Sequence, residues 1–289
     1  MSYLETAIIN EKCYIPIDIT LPRKNSNSGI ILLHGGIVNR KSLSRKEYSF
    51  AEYCCKELNT HVITPDIFGK TTINNENLMN ANDFQLIVNS CIDFLHTKLG
   101  VEQISAFSHS LGSILLVNSL KSLNDIDSIV TYGSPTYYDV VGFYNKFIFK
   151  LLDKIKFLIG NNLDAENFMW VFDKETRNYY NNVMKNHEEY GTYTEKSFVN
   201  VDLLFEIFNI IPNIEADILA WNNPALLLFG TEDIVTKYSM KYYSDCYKNK
   251  NLETRLIHEG HHITPCRMEN YELEKFQPMI NFLKSQARA

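Results

Sequence analysis

Long apolar runs are missing from this 289-residue chain: its most hydrophobic stretches are broken by Lys or Asp well short of the roughly 18 residues that a membrane-spanning helix needs, so no stable membrane insertion is expected. Positive charge is also scarce. Lys and Arg number 28 against 34 Asp and Glu, for a net charge of -6 and a pI of about 5.8. Nucleic-acid binding depends on clustered cations that release counterions, and this balance provides no general footprint for it. A basic stretch followed by an apolar segment, the mark of a secretory signal, is absent from Met1 to Lys12, where Glu5 and Glu11 stand instead. A cytoplasmic location is the expectation. The six cysteines (Cys13, Cys54, Cys55, Cys91, Cys246 and Cys266) form no CxxC pair, and two of them are adjacent. That spacing suits neither a zinc site nor a disulfide framework, and buried free thiols are expected.

What is present is the composition of an ordinary globular protein, 45% hydrophobic and 21% charged, which excludes disorder and fibrous repeats. Near the start, Ala7-Ile8-Ile9 and the alternating run Cys13 to Thr20 read as an edge hairpin. After a polar turn, Ile30-Ile31-Leu32-Leu33 is a continuous apolar run of the kind that a strand buried on both faces requires. Strand and helix patterns then alternate: helix 46–58, strand 61–65, helix 81–99, strand 103–107, helix 110–120, strand 127–132. Alternation of this type builds βαβ units with right-handed crossovers and a parallel sheet covered on both sides. The rhythm stops at about Thr136. From there to about Ala216 the chain carries helix-period apolar residues such as Phe147, Leu151, Ile155 and Leu158, and it resumes with strand 225–229, helix 237–247, strand 254–257 and a closing helix 271–285. The expected architecture is an α/β core formed by 1–135 and 217–289, interrupted by a mostly helical lid, 136–216.

Chemistry concentrates at the ends of the expected strands. In Phe107-Ser108-His109-Ser110-Leu111-Gly112 a buried strand hands over to a helix, and a serine at such a turn projects its hydroxyl above the sheet with helix N-terminal amides behind it. Gly112 keeps the turn tight; Ser108 stands where the strand side usually has glycine. Leu33-His34-Gly35-Gly36 ends the first parallel strand. An oxyanion hole needs two donors, one expected from the N–H of Leu111 and one from this loop, at Gly36 or alternatively Ile37. Downstream, Gly230-Thr231-Glu232-Asp233 follows a buried strand. Asp233, further into the loop, is placed to orient a histidine and stabilise its cation. The last strand runs into His258-Glu259-Gly260-His261-His262, where His261, directly after the glycine that turns the loop, is preferred as the base, with His262 as the alternative. Neither HExxH spacing nor a CxxC pair accompanies these histidines, so no metal and no cofactor is expected.

In this order, the HG loop, serine turn, late acid and final histidine resemble the α/β-hydrolase superfamily over essentially the whole chain outside the lid. Ile63 to Gly69, containing Asp66 and Gly69, is similar to a structural Asp-x-x-Gly stretch in many members. The resemblance implies a triad of Ser110, Asp233 and His261 with Gly36 and Leu111 as oxyanion donors. A serine nucleophile argues against the branches that use a carboxylate, the haloalkane dehalogenases and epoxide hydrolases. Acyl chemistry is left. The first expectation is hydrolysis of a lipophilic carboxylic ester; the alternatives are a thioesterase or an acyltransferase or cyclase, and, from another class, a catalytically silent binding protein. The lid holds 17 of the 36 aromatic residues, which suits an apolar acyl or aryl pocket. Phe168, Trp170, Phe172, Tyr179 and Tyr180 are the densest group and the candidate substrate-binding residues. Lys146, Lys150 and Lys154, spaced four apart, are a candidate face for an acyl carrier protein, with a solvated face as the plainer reading.

Overall fold

Apolar residues in consecutive positions can all be buried only if both faces of a strand are covered, and β3 (Ser28–Leu33) shows how this chain does it. Ile31 and Leu33 enter one core cluster, Ile30 and Leu32 the other, as the two-residue period of a strand requires. In this computed structural model the described residues are 1–9, 12–36, 38–45, 49–67, 71–73, 80–123, 125–134, 162–163, 174–179, 181–182, 199–200, 206–207, 209–236, 239–240, 251–267 and 270–286.

One mixed sheet organises them. Its strands are β1 (Ser2–Ile9), β2 (Cys13–Leu21), β3, β4 (His61–Pro65), β6 (Gln103–His109), β7 (Ser128–Tyr132), β10 (Ala225–Gly230) and β11 (Leu252–Ile257), in the order β1-β2-β4-β3-β6-β7-β10-β11, with the two-residue β5 (Thr72–Ile73) beside β2. β1 and β2 form the expected edge hairpin, antiparallel to each other, and β2 is antiparallel to β4. From β4 to β11 every pairing is parallel. The chain leaves β3 towards β4 on one side and returns to β6 on the other. The carboxyl ends of β3 and β6 therefore diverge at a switch point, the place where doubly wound sheets open a crevice.

Helices α1 (Phe50–Leu58), α2 (Ala81–Leu99) and α3 (Leu111–Ser119) fill the crossovers. The Ser49 hydroxyl accepts from the Glu52 amide to start α1, and Asn80 and Asp83 form a reciprocal capping box at the start of α2, which ends on left-handed Gly100. On one face α2 and α3 pack on Ile31, Leu33, Ile63 and Phe229. On the other, Phe50 of α1 meets Phe107 and Phe276 at centroid separations of 4.6 and 4.9 Å. Each such burial contributes roughly 1.5–3 kcal/mol.

Within 136–216 the described residues are few: β8 (Asn162–Leu163) paired antiparallel with β9 (Val199–Asn200), α4 (Lys174–Tyr179), and the residues leading into α5 (Ile214–Ala220). Ile207, Ile210, Ile211, Ile214 and Ile218 join the α2–α3 core cluster, and α5 packs against α3, so this end of the stretch is built into the main body. The helix-period residues Phe147 to Leu158, the row Lys146, Lys150 and Lys154, and most of the expected helix 237–247 lie outside the described residues. The single closing helix expected over 271–285 is two, α6 (Asn270–Glu274) and α7 (Gln277–Gln286). Pro278 explains the break. It has no N–H, and its ring would clash with the carbonyl of Glu274, so it sits in the first turn of a new helix. Among the described residues no helix is long and apolar enough to cross a membrane.

Candidate active site

Ser110 occupies the turn between β6 and α3 with φ 53° and ψ -121°, a region that non-glycine residues seldom adopt. The strain is held by neighbours. Its N–H donates to the Tyr132 carbonyl at 3.0 Å, and its carbonyl accepts from Ser113 at 2.9 Å. Gly112 is required here, because a Cβ at this position would fall against the backbone oxygen of His34. Ser108, the departure from glycine, is fully buried inside the sheet between Leu33 of β3 and Thr131 of β7.

Asp233 follows β10 and is 3% exposed. Its Oδ1 accepts from the Val235 N–H at 2.9 Å, and its Oδ2 from the Thr236 hydroxyl at 2.8 Å. Burial by itself would raise its pKa; the adjacent His262 ring and the bonds from His262, Thr236 and Val235 outweigh burial and hold the carboxyl below its ordinary range. Glu232 is exposed to solvent.

The histidine that joins these groups is His262, which corrects the preference for His261. His262 Nδ1 lies 2.9 Å from Asp233 Oδ2, and its Nε2 lies 2.8 Å from Ser110 Oγ. A ring nitrogen facing a carboxylate carries the proton, so Nε2 is left to accept from the serine hydroxyl. His261 points elsewhere: its Nε2 is 2.8 Å from Glu175 of α4, which also binds Arg267 at 2.7 Å. The reason lies in the turn after β11. Glu259 adopts φ 51°, the Gly260 N–H closes back on Ile257, and residues 261 to 264 form a tight turn in which Thr264 N–H donates to the His261 carbonyl. Successive side chains on such a turn diverge, so only one of two adjacent histidines can face the sheet. His258 lies just past the strand end, with its side chain 88% exposed.

Gly133, immediately after β7, makes room for the pair. It has φ 58°, and a Cβ there would stand 3.1 Å from Asp233 Oδ2 and 3.2 Å from His262 Nδ1. A glycine directly after a buried strand is the sequence signal of this close approach.

The loop after β3 abuts the serine turn: a Cβ on Gly35 would lie 3.2 Å from Ser110 Cβ. His34, fully buried, braces this loop. Its Nε2 accepts from the Ile67 N–H at 2.9 Å and its Nδ1 donates to the Gly35 carbonyl at 2.7 Å, while burial holds its pKa below the ordinary value. Asp66 binds Arg40 through both the backbone N–H and the guanidinium, at 3.0 and 2.8 Å. Leu111 opens α3, so its N–H belongs to the first turn, where no intrahelical acceptor exists. Gly36 follows Gly35 in the same loop. Ile37, Gly69, Phe168, Trp170, Phe172 and Tyr180 lie outside the described residues, and Tyr179 is described only as the last residue of α4.

No protein-family model and no curated protein matches the sequence. Solved structures do match. A soluble variant of monoglyceride lipase from Saccharomyces cerevisiae, in complex with a substrate analog, is similar over 99% of this chain and 97% of that one, with a TM-score of 0.69 at 13% identity. The monoacylglycerol lipase of Paleococcus ferrophilus is similar over 94% and 99%, with a TM-score of 0.64 at 16% identity. A structure from work on the carboxylesterases of the thaumarchaeon Nitrososphaera gargenis is similar over 99% of both chains, with a TM-score of 0.63 at 12% identity. The chain has the α/β-hydrolase fold.

Proposed function

We propose that the chain is a serine hydrolase that cleaves carboxylic esters through an acyl-enzyme on Ser110. One observation carries the reading: Ser110 Oγ, the His262 imidazole and the Asp233 carboxylate stand in line at 2.8 and 2.9 Å, with the serine on a strained turn at the switch point of the sheet. In the first half-reaction His262 Nε2 takes the Ser110 proton as Oγ bonds to the ester carbonyl carbon. The N–H groups of Leu111 and Gly36 are the candidate donors to the resulting oxyanion. Collapse breaks the bond to the leaving alcohol, which His262 protonates. Water then attacks the acyl-enzyme, again giving its proton to His262, and the acid leaves as Ser110 recovers its own. Asp233 stabilises the imidazolium in both halves.

A lipophilic substrate accords with the aromatic-rich stretch 136–216 and with fold neighbours that are carboxylesterases and monoacylglycerol lipases. The test combines a fluorophosphonate probe with turnover of p-nitrophenyl esters of increasing acyl length and of acyl thioesters. Wild-type protein should be labelled and Ser110→Ala should not, with esters turned over faster than thioesters. Labelling that persists in Ser110→Ala would overturn the nucleophile, and faster thioester turnover the substrate class.

A further inference from the structure

General-base catalysis needs the imidazole within about 2.6–3.2 Å of the proton that it takes, and a displacement on the order of 1 Å can cost roughly a hundredfold in rate. Asp233 holds only the far nitrogen of His262. The backbone that carries the ring belongs to a turn, and two rings from neighbouring strand ends grip that turn. His109, the last residue of β6, lies with Nε2 2.7 Å from the His262 carbonyl oxygen. A carbonyl can only accept, so this nitrogen carries the ring proton. Tyr132, the last residue of β7, donates its hydroxyl to the His261 carbonyl at 2.7 Å. Both side chains are buried, at 2% and 0% exposure.

The same two residues also fix the nucleophile. His109 directly precedes Ser110, and the Tyr132 carbonyl accepts the Ser110 N–H. Each therefore touches the serine side of the site through its backbone and the histidine side through its ring. Resting on the triad reading above, we propose that His109 and Tyr132 are positioning residues that lock the His262 turn onto the Ser110 turn through two successive carbonyls, those of residues 261 and 262.

The chemistry of His109 suits a permanent donor and not a second base. Burial, with the neighbouring His262, pushes its pKa down to about 3, so the ring stays neutral. Its other nitrogen faces the Cys266 thiol at 4.0 Å, and burial pushes that thiol's pKa up to about 12, so it keeps its proton. The Nε2–H tautomer therefore persists while His262 gains and loses its proton beside it, the two ring centroids 5.1 Å apart.

The experiment compares Tyr132→Phe, His109→Leu and His109→Gln with wild type and with Ser110→Ala, using full-length protein and p-nitrophenyl ester turnover normalised to sites titrated by the fluorophosphonate. Tyr132→Phe and His109→Leu should each lower kcat per titrated site by about ten- to a hundredfold with KM within about threefold, the pattern of a misplaced base. His109→Gln, whose amide N–H can reach the same carbonyl, should recover turnover relative to His109→Leu. Should His109→Leu fail to fold, Tyr132→Phe, which deletes a single oxygen, carries the test alone. Per-site kcat equal to wild type in Tyr132→Phe, or His109→Gln no better than a folded His109→Leu, would overturn the positioning role while Ser110→Ala remains inactive. A wild-type protein that takes no label would overturn the triad reading and this proposal together.

Discussion

Two buried groups of polar side chains flank the loop after β3, and they are built on opposite plans. In the first, beneath residues 38–45, Arg40 binds Asp18 at 2.9 Å and Asp66 at 2.8 Å, Lys41 binds Glu5 at 2.8 Å and Asp18 at 3.2 Å, and Ser44 donates to Asp18 at 2.6 Å. Opposite charges meet there. Even so, burial of Asp18 outweighs Arg40 and Lys41 and leaves its pKa raised, which shows how far desolvation offsets the attraction between the charges. In the second, the group of Ser110, His262 and Asp233, one carboxylate is buried against a ring and a hydroxyl, with no cation beside it among the described residues. A cluster whose charges are already matched stays put, whereas in the proposed mechanism the Asp233 carboxylate stabilises a charge that appears on His262 only during reaction.

The sharpest contrast to break is between the proposed triad and the neighbouring His261. Ser110→Ala and His262→Ala should each lower kcat by roughly a millionfold, the scale seen when one member of such a unit is lost. His261→Ala should stay within about threefold per titrated site, a consequence of its pointing to Glu175. Ester turnover measured side by side checks both. Asp233→Asn, which keeps the shape but imposes the wrong tautomer, should cost about ten-thousandfold in kcat. Activity within tenfold of wild type would remove Asp233 from the reading.

In the charge cluster the loss should appear in stability. Arg40→Met leaves Asp18 and Asp66 buried without their shared cation and should destabilise the fold by about 3–5 kcal/mol, read from the urea midpoint. Acid should act on a third place. The unfolded His109 imidazole binds its proton near pH 6.5 and the folded one only near pH 3, so between these values the unfolded state holds more protons and stability falls as pH falls. Each histidine of this kind contributes a slope of up to about 1.4 kcal/mol per pH unit, and His34 acts in the same direction. His109→Gln should remove one such contribution, seen as a shallower decline in denaturation experiments between pH 6 and pH 4. The smallest effect is expected at Ser108, whose buried hydroxyl makes no hydrogen bond among the described residues. Ser108→Ala should change stability by less than about 1 kcal/mol, because no partner is lost.

Much of this was legible in the chain. Ile30 to Leu33 and Ala225 to Phe229 carry their burial in their composition, since a strand covered on both faces has no polar side to show. Ser110 was legible because its neighbours are small where the turn is tight, and Asp233 because it follows a buried run. The charge cluster was not, since Asp18, Arg40 and Asp66 come from three separate segments, and the Asp-x-x-Gly stretch that marks Asp66 points to neither of its partners.

Local chemistry, written in consecutive residues, was enough to mark the α/β order, the strained turn at Ser110 and the buried carboxylate of Asp233. The choice between His261 and His262 is of another kind. Two identical side chains stand side by side, and no local property tells them apart. The difference comes from Tyr132 and His109, 129 and 153 residues away in sequence from the carbonyls that they hold, and from Glu175 on the far side of the turn. These contacts form only when the sheet brings the ends of β6, β7 and β11 together. Tertiary structure decided which imidazole meets Ser110, because the direction of a side chain on a tight turn depends on what grips the turn's backbone.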